Sequence, residues 1–325
     1  MTDMNKILDI KDLKVNYAVQ EGMLSAVNGV DLSIGKGEIY ALVGESGCGK
    51  STVAFSIMGL LDRDRALTSG SISYKGEELI DAPRKTMEGI RGKEIGMIFQ
   101  NPMDSLDPVY RAGTQVEEAL LLDKMDRVSA WNRVLELFRD VRIPDEEKRT
   151  KSFPHELSGG MRQRVMIAMM LARRPNLLIC DEPTTALDVT IEAEILDIIR
   201  RLRDEHGTSF LVITHNFGIV AELADRIGIM YAGELVEEGD VFTIFDHACH
   251  PYTRGLLKSL PRIFKKEGRL ATIEGTVPRI IQGFTGCRFA NRCEYCEERC
   301  VNETPVRVDT GDGHKVLCHR WEEFR

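Results

Sequence analysis

Long apolar runs are scarce in this 325-residue chain. None approaches the ~20 residues that a membrane-spanning helix needs. The longest, Val165–Ala172, predicts a buried helix instead. The opening residues, Met1 to Lys6, lack the basic and apolar regions of a secretory signal. We therefore expect a cytoplasmic chain, for which any role at a membrane requires partner proteins.

Positive charge is also in short supply. The 43 lysines and arginines are outnumbered by 51 aspartates and glutamates, which gives a net charge of −8. Nucleic-acid binding favours a basic surface, so this balance argues against a nucleic-acid partner. The hydrophobic content of 43% is ordinary for a globular protein, and the length allows one large domain with an appendage.

Cysteine is sparse over most of the chain and concentrated near its end. In a reducing compartment such a cluster more often binds a metal than forms disulfides. The three scattered cysteines are Cys48, Cys180 and Cys249, and the five clustered ones are Cys287, Cys293, Cys296, Cys300 and Cys318.

The chain begins with a strand pattern and changes to a helical one. Alternation over residues 7–43 predicts strands, the last of which, 38–43, is buried. A helix is predicted over 50–61 and a short strand over 95–99. From about 113 to 173 the pattern becomes helical, which predicts an inserted helical subdomain. One strand face is formed by Val27, Val30, Leu32 and Ile34, and one helix face by Trp131, Val134, Leu135 and Phe138.

Strand–helix alternation resumes beyond residue 176, as in a sheet flanked by helices. A hairpin is predicted around Ala232-Gly233 because strand-like segments flank this pair. A linker near 265–268 precedes the cysteine-rich end. The predicted elements are strand 177–180, helix 191–206, strand 209–214, hairpin strands 226–231 and 234–238, and a short helix after residue 250.

A glycine-rich loop follows the buried strand and opens a helix, which is the context of a phosphate-binding loop. Backbone N–H groups of such a loop surround phosphates, and the helix N-terminus adds a favourable dipole. Lys50 is predicted to reach the β- and γ-phosphates of ATP, and Ser51 to bind Mg²⁺. The loop is the run Gly44-Glu45-Ser46-Gly47-Cys48-Gly49-Lys50-Ser51.

Two adjacent carboxylates follow a second apolar strand. A carboxylate at the end of such a strand is costly to bury without a charged partner, so we predict that Asp181 binds hydrated Mg²⁺. Glu182 is predicted to be the general base that activates the attacking water.

A third motif, Leu157-Ser158-Gly159-Gly160-Met161, lies between these two. The three motifs in this order resemble the ATP-binding cassette (ABC) family, whose members bind ATP between two subunits. The resemblance implies an α/β fold of the P-loop NTPase (RecA-like) class. It also implies an antiparallel β subdomain, an inserted α-helical subdomain and, here, a small cysteine-rich extension.

The resemblance assigns roles to smaller segments. Gln100 resembles the glutamine that senses Mg²⁺ and contacts the membrane partner, and His215 the switch histidine that touches the γ-phosphate. Asp188 matches a loop that crosses the dimer interface, and Tyr17 is placed to stack on adenine. Thr52 completes the implied nucleotide-binding set.

The residues of the third motif also indicate an anion-binding helix start. Ser158 is predicted to cap a helix that runs to about Arg173, so its hydroxyl and the amides of Gly159 and Gly160 face an anion. In the ABC family that anion is the γ-phosphate of ATP held by the partner subunit. Met161 replaces the usual glutamine, and Asn216 replaces the aspartate often found after the switch histidine; neither is an expected phosphate ligand.

Further segments resemble the ATPase subunits of dipeptide/oligopeptide importers, and nickel importers share much of the pattern. The resemblance implies a domain over 1–260, with the helical subdomain at about 108–173, and an extension over 261–325. The implied partners are a second ABC ATPase (a sister chain or a second copy), two membrane permeases and, indirectly, an extracytoplasmic peptide-binding protein. The implied location is the cytoplasmic face of the membrane. The segments are Phe99–Pro108, Phe153–Glu156 and His250–Leu257.

The cysteines leave several metal sites open. Spacing alone suggests that Cys293, Cys296 and Cys300 share a helical face. The family pattern points instead to Cys287, Cys293, Cys300 and Cys318 around a [4Fe–4S] cluster, with Cys296 as a substitute, because such a cluster takes four thiolates. A tetrahedral Zn²⁺ site and free thiols are the alternatives.

Two other classes of function compete with the peptide importer. A soluble ABC ATPase of DNA repair or translation would need long coiled coils or two cassettes, whereas only 106 residues separate Ser51 from Ser158. The other class is a redox or iron sensor in which the tail regulates and ATP is secondary. A nickel importer is the nearest alternative within the transport class.

Overall fold

The computed structural model describes residues 5–100, 106–184, 189–260 and 273–325. These residues form two compact units. The first unit combines Met1–Ala82 with Ile213–Arg325, and the second is Pro83–Val212. Within the described ranges, no helix combines the length and apolar character needed to cross a membrane.

Twelve strands are present in the described ranges: β1 Lys6–Val19, β2 Gly22–Gly35, β3 Ile39–Val43, β4 Ala66–Tyr74, β5 Glu77–Glu78, β6 Ile95–Ile98, β7 Leu177–Asp181, β8 Ser209–Thr214, β9 Arg226–Tyr231, β10 Glu234–Asp240, β11 Val308–Gly311 and β12 His314–Val316.

The α-helices of the described ranges are Lys50–Ile57, Arg84–Ile90, Ala112–Leu121, Arg127–Asp140, Glu146–Arg149, Gly159–Leu171, Val189–His206, Phe217–Leu223, Val241–His247, Pro251–Lys258 and Glu298–Asn302. Short 3₁₀ turns occupy Pro154–Glu156, Ala290–Arg292 and Trp321–Phe324.

The first unit opens with an antiparallel sheet in the order β2-β1-β4-β5. Of the strands predicted over residues 7–43, β1 and β2 belong to this sheet, and one face of β2 is apolar. That face is fully buried, which confirms the sequence prediction for Val27, Val30, Leu32 and Ile34.

A second set of strands in the first unit runs in the order β11-β12-β10-β9-β3. The β9–β10 hairpin confirms the predicted turn. Both turn residues have positive φ, 45° at Ala232 and 89° at Gly233, which matches the twist of a two-residue hairpin. β12 pairs with β10, so the C-terminal extension adds strands to this sheet.

A buried ion pair also attaches the extension to the hairpin. Arg288 contacts Oε1 of Glu234 at 3.1 Å, and both side chains are less than a tenth exposed. Arg288 also donates to the carbonyl of Ala232 at 2.5 Å and to the hydroxyl of Ser25 at 3.2 Å. The aromatic rings of Tyr231, Tyr252 and Phe289 pack together in the same core.

The second unit contains the predicted helical region and strands in the order β8-β7-β6, with β6 and β7 parallel. Helices span Ala112–Leu121, Arg127–Asp140 and Gly159–Leu171. Of the predicted helix face, Val134 and Phe138 are buried, whereas Trp131 and Leu135 are half-buried.

Two local predictions are wrong. The helix predicted over 50–61 ends at Ile57, because Gly59 adopts a left-handed φ of 58° that stops it. The segment from Cys293 to Cys300 is not one helical face. Cys293 has extended backbone, turns follow, and the helix that holds Cys300 begins only at Glu298.

Candidate nucleotide site and thiol pocket

The glycine-rich loop joins β3 to the helix that begins at Lys50, as predicted. Two of its glycines are required by close backbone contacts. A Cβ on Gly44 would lie 2.2 Å from the carbonyl oxygen of Met230, and one on Gly49 would lie 2.5 Å from that of Ala26. Gly49 also has a φ of 106°, which larger residues rarely adopt. The loop is therefore held tightly against its surroundings.

Lys50 lies inside the loop and is 6% exposed. Its ammonium group donates to the carbonyls of Gly44 at 2.7 Å and Glu45 at 2.9 Å, and lies 3.6 Å from the sulfur of Cys48. The loop thus curves around a single positive charge, which is the sign of charge that a phosphate requires. Ser51 follows as the second residue of the helix.

Tyr17 lies on β1 and its hydroxyl hydrogen-bonds Thr52, one residue beyond the loop. Burial raises the pKa of Tyr17, so the phenol stays protonated near neutral pH. This contact places the predicted adenine-stacking residue next to the predicted phosphate loop. Ser46 and Gly47 form the exposed tip of that loop, where Gly47 has a φ of 81°.

The Asp-Glu pair lies in the second unit at the end of β7. Asp181 is 4% exposed. Glu182 has a left-handed φ of 49°, and its Oε2 accepts a hydrogen bond from Nε2 of Gln100 at 2.9 Å. The structure thus brings together two of the residues that the sequence predicts for catalysis.

The Leu-Ser-Gly-Gly motif starts the helix Gly159–Leu171. Ser158 is exposed and caps this helix, because its hydroxyl accepts the N–H of Met161 at 3.3 Å. Gly160 is packed: a Cβ there would lie 2.9 Å from the side chain of Ile191. Asp188 lies outside the described residues.

His215 belongs to the first unit, comes directly after β8 and is exposed. The next residue, Asn216, caps the helix Phe217–Leu223 by accepting the N–H of Gly218 at 2.8 Å. Asparagine caps a helix about as well as aspartate does, so this departure from the family pattern keeps the local structure.

Four of the clustered cysteines line one pocket. Cys296 is exposed and is not part of the lining. The lining thus contains the four cysteines that the family pattern indicates. Its walls include Cys287, Cys293, Cys300 and Cys318, together with His250, Phe289, Tyr295 and Arg320.

Backbone N–H groups point at three of these sulfurs. Each comes from the residue two positions further on: Phe289 for Cys287, Tyr295 for Cys293 and Arg320 for Cys318. Such donors favour a thiolate. Burial acts in the opposite direction and raises the pKa of Cys287 to about 12 and that of Cys318 to about 11. Cys287 and Cys318 therefore carry protons that a metal would have to displace.

A different trio brings its ligand atoms closer together. Among the described residues, only Glu237, Cys249 and His314 place three such atoms within 4.8 Å of one another. Glu237 is fully buried and accepts from the N–H groups of Cys249 and His250 at 2.5 and 3.1 Å, with His314 at 2.9 Å. These bonds already satisfy the carboxylate, which favours a structural network.

Three contacts of the site were missed by sequence reasoning. Gln163 donates to the carbonyl of Pro183 at 2.7 Å, which ties the Leu-Ser-Gly-Gly helix to the segment after Glu182. Tyr252 accepts the N–H of Glu45 at 3.1 Å, and Arg292 contacts the carboxylate of Glu45. The last two join distant parts of the sequence, and no local pattern signals them.

A phosphate loop after a buried strand, an Asp-Glu pair ending another strand and a Ser-Gly-Gly helix start together define an ATP-binding cassette. Residues 27–185 match the ABC transporter family, and residues 236–300 match the C-terminal region of oligopeptide/dipeptide transporters. The chain belongs to the ABC transporter family, among cassettes that carry this C-terminal region.

Curated relatives match over nearly the whole chain. The probable peptide ABC transporter ATP-binding protein y4tR of Sinorhizobium fredii is 45% identical, over 98% of this chain and 96% of its own. A Brucella ovis protein named as a peptide import ATP-binding protein is 46% identical, over 98% of each chain.

Solved structures support the same fold. The dimeric ATP-binding cassette MJ0796, in a post-hydrolysis state bound to ADP and Pi, has a TM-score of 0.66 at 29% identity, over 72% of this chain and 98% of that one. The protein cbiO1 from Clostridium perfringens, part of the ABC transporter complex cbiONQ, has a TM-score of 0.64 at 29% identity, over 74% and 91%.

Proposed function

We propose that this chain is the ATP-hydrolysing subunit of an importer of di- and oligopeptides. The observation that carries the proposal is the combination, in one chain, of a cassette with its nucleotide motifs and the oligopeptide/dipeptide transporter C-terminal region. Relatives named for peptide import match this combination over 98% of the chain.

The nucleotide site divides the work among residues with different chemistry. The loop Gly44–Ser51 binds the phosphates through its N–H groups, and Lys50 neutralises the β- and γ-phosphates. Ser51, Asp181 and Gln100 would hold Mg²⁺, which neutralises charge on the phosphates when bound.

Hydrolysis requires a base and a sensor for the γ-phosphate. Glu182 takes a proton from the attacking water, and His215 contacts the γ-phosphate. The hydrogen bond from Gln100 to Glu182 supports this assignment, because one carboxamide then serves both the metal through its oxygen and the base through its amide group.

The remaining ligands come from a second cassette. Ser158 and the amides of Gly159 and Gly160 bind the γ-phosphate of ATP on the partner, and Asp188 completes the interface. ATP thereby holds two cassettes together, and hydrolysis releases them. The exposed cap at Ser158 supports this role, because a helix N-terminus facing outward attracts an anion.

This arrangement implies a peripheral protein at the cytoplasmic face of a membrane. Two permease subunits form the pathway, and an extracytoplasmic peptide-binding protein delivers the solute. We assign the cassette to residues 1–260, with its helical subdomain at about 108–173, and the extension to 261–325.

The proposal is tested by reconstituting the chain with its two permeases and binding protein in lipid vesicles. We expect ATP-dependent uptake of labelled di- and oligopeptides that Lys50→Ala abolishes. Uptake of Ni²⁺ instead, or ATP hydrolysis that no permease changes, would contradict peptide import.

We also propose that Cys287, Cys293, Cys300 and Cys318 hold a [4Fe–4S] cluster, which supplies a redox-active and cross-linking centre when bound. What supports this proposal is that four cysteines line one pocket, because a [4Fe–4S] cluster takes four thiolates.

Anaerobic purification tests this assignment. We expect iron, sulfide and broad visible absorption in the native chain and in Cys296→Ser, which changes an exposed cysteine outside the pocket. Cys300→Ser should lose them. Stoichiometric zinc without sulfide, or loss of the cluster in Cys296→Ser but not in Cys300→Ser, would overturn the assignment.

A further inference from the structure

The C-terminal extension reaches the phosphate loop directly. Arg292 is the last residue of the extension's turn Ala290–Arg292 and precedes the pocket residue Cys293, and one Nη lies 3.2 and 3.1 Å from the two carboxylate oxygens of Glu45. Glu45 is the second residue of the loop, and 247 positions separate the two residues in the sequence. The side chain of Arg292 is 4% exposed and that of Glu45 is 29% exposed, so the pair is shielded from water on the arginine side.

Backbone carbonyl groups also hold the guanidinium of Arg292 in place. Its Nε donates to the carbonyl of Glu274 at 2.8 Å, and the second Nη donates to those of Ile273 and Gly275 at 3.3 Å each. An arginine held by three carbonyls loses little further freedom when it binds a carboxylate. Arg292 therefore acts as a rigid support rather than a mobile side chain.

Glu45 is in turn connected to the residue that meets the phosphates. Its carbonyl accepts a hydrogen bond from Lys50 at 2.9 Å, and its N–H donates to Tyr252 at 3.1 Å. A displacement of Glu45 would therefore move the ammonium group of Lys50. Loss of Arg292 would also leave the Glu45 carboxylate uncompensated in the loop that binds an anion.

A second contact supports the loop from the same side. Gly233 donates its N–H to the carbonyl of Cys48 at 2.9 Å, and Arg288 of the extension holds the adjoining carbonyl of Ala232. Phe289, a wall of the thiol pocket, packs edge-on against Tyr231, whose hydroxyl lies 3.4 Å from Arg292. The extension thus contacts the loop directly through Arg292 and, by way of the Ala232-Gly233 turn, indirectly through Arg288.

We propose that Arg292 is a positioning residue for ATP, by which the C-terminal extension sets the affinity of the phosphate loop. This inference rests on the proposed binding of ATP at Gly44–Ser51. It assigns the extension a part in the nucleotide site, in addition to any group that its thiols hold.

The test is the dissociation constant of a non-hydrolysable ATP analogue, measured by calorimetry on the full chain. Arg292→Gln should weaken binding about tenfold, the effect of losing one well-placed charge-assisted contact. Arg279→Gln, at an exposed arginine of the same extension, should bind as the native chain does. In steady-state assays KM for ATP should rise far more than kcat falls.

A second substitution distinguishes a positioning role of Arg292 from a general loss of structure. Adding Glu45→Gln to Arg292→Gln removes the uncompensated charge, so the double variant should bind more tightly than Arg292→Gln alone. Native affinity for the analogue in a folded Arg292→Gln chain would overturn the inference. So would a double variant whose loss of binding free energy equals the sum of the losses in the two single variants. If Arg292→Gln does not fold, Glu45→Gln alone breaks the same contact from the loop side, and native affinity there would have the same meaning.

Lys50→Ala distinguishes this inference from the proposed function. If Lys50→Ala abolishes binding while Arg292→Gln is silent, only the role of Arg292 is wrong. If Lys50→Ala also binds normally, the assignment of the phosphate loop itself fails.

Discussion

Gln100 donates a hydrogen bond from its Nε2 to Oε2 of Glu182 across 2.9 Å. The contact joins the end of β6 to the end of β7, two neighbouring parallel strands whose carboxyl ends lie at the same edge. An amide that donates to a carboxylate holds it in one orientation and leaves its own oxygen available for a cation. In the proposed mechanism, this contact would link binding of Mg²⁺ to activation of water through one side chain.

Glu182→Gln should bind ATP but hydrolyse it slowly. The new carboxamide keeps the size of the carboxylate and its oxygen still accepts from Gln100, so only the base is lost. We expect kcat to fall by about 10²–10⁴, the range of general-base catalysis. Phosphate release under saturating ATP measures this, and near-native turnover would contradict the role of Glu182.

Two substitutions of Ser158 should distinguish its capping role from its proposed anion-binding role. Ser158→Ala removes the cap and should cost about 1 kcal/mol of unfolding free energy. Ser158→Asp retains a capping oxygen but places a negative charge where the partner's phosphate binds. We expect urea denaturation to show a lower free energy of unfolding for Ser158→Ala but not for Ser158→Asp. Both variants should lose ATPase activity. An active Ser158→Asp chain would exclude the phosphate contact.

His250 should make the fold sensitive to acid. Burial lowers its pKa to about 4, with Glu237 partly opposing the shift. Because the unfolded residue titrates near 6.5, the unfolded chain binds more protons between these values. The contribution of neutral His250 to the free energy of unfolding is therefore fully present above pH 6.5. It is lost as pH drops through this window, by about 2 kcal/mol between pH 7 and pH 5.

The matched variant for this effect is His250→Asn. Its side-chain oxygen can still accept the N–H of Tyr252, as Nδ1 of His250 does at 3.1 Å, but it does not titrate. The unfolding free energy of His250→Asn should fall less between pH 7 and pH 5 than that of the native chain. Equal losses in the two chains would assign the acid sensitivity to other groups.

Cys48 should react slowly with thiol reagents despite its place in the loop. It is 1% exposed, and burial raises the pKa of its thiol, with Lys50 partly opposing. Mass spectrometry of maleimide-treated chain should show Cys296, which is exposed, labelled well before Cys48. ATP should slow Cys48 further, and labelling of Cys48 that ATP leaves unchanged would argue against its position beneath the phosphates.

Local motifs could be predicted from the sequence because their geometry depends on neighbouring residues. The strand, glycine loop and helix around Lys50 form within the single stretch Ile39–Ile57, and Ser158 caps the helix that directly follows it. The choice between Cys296 and Cys287 could not be made from spacing, since it depends on where the chain turns. Arg292 was missed for the same reason: its contact with Glu45 exists only after the extension has folded onto the sheet.

In the site that we propose, two cassettes share each ATP, the loop around Lys50 from one and Ser158 from the other. This chain carries both motifs, so the experiment uses two copies of it. It is sedimentation of Glu182→Gln with Mg²⁺ and ATP, beside the double variant Glu182→Gln/Ser158→Asp. We predict ATP-dependent dimers of the single variant, and monomers of the double variant at equal ATP occupancy. A double variant that binds ATP and dimerises as well as the single one would contradict the account.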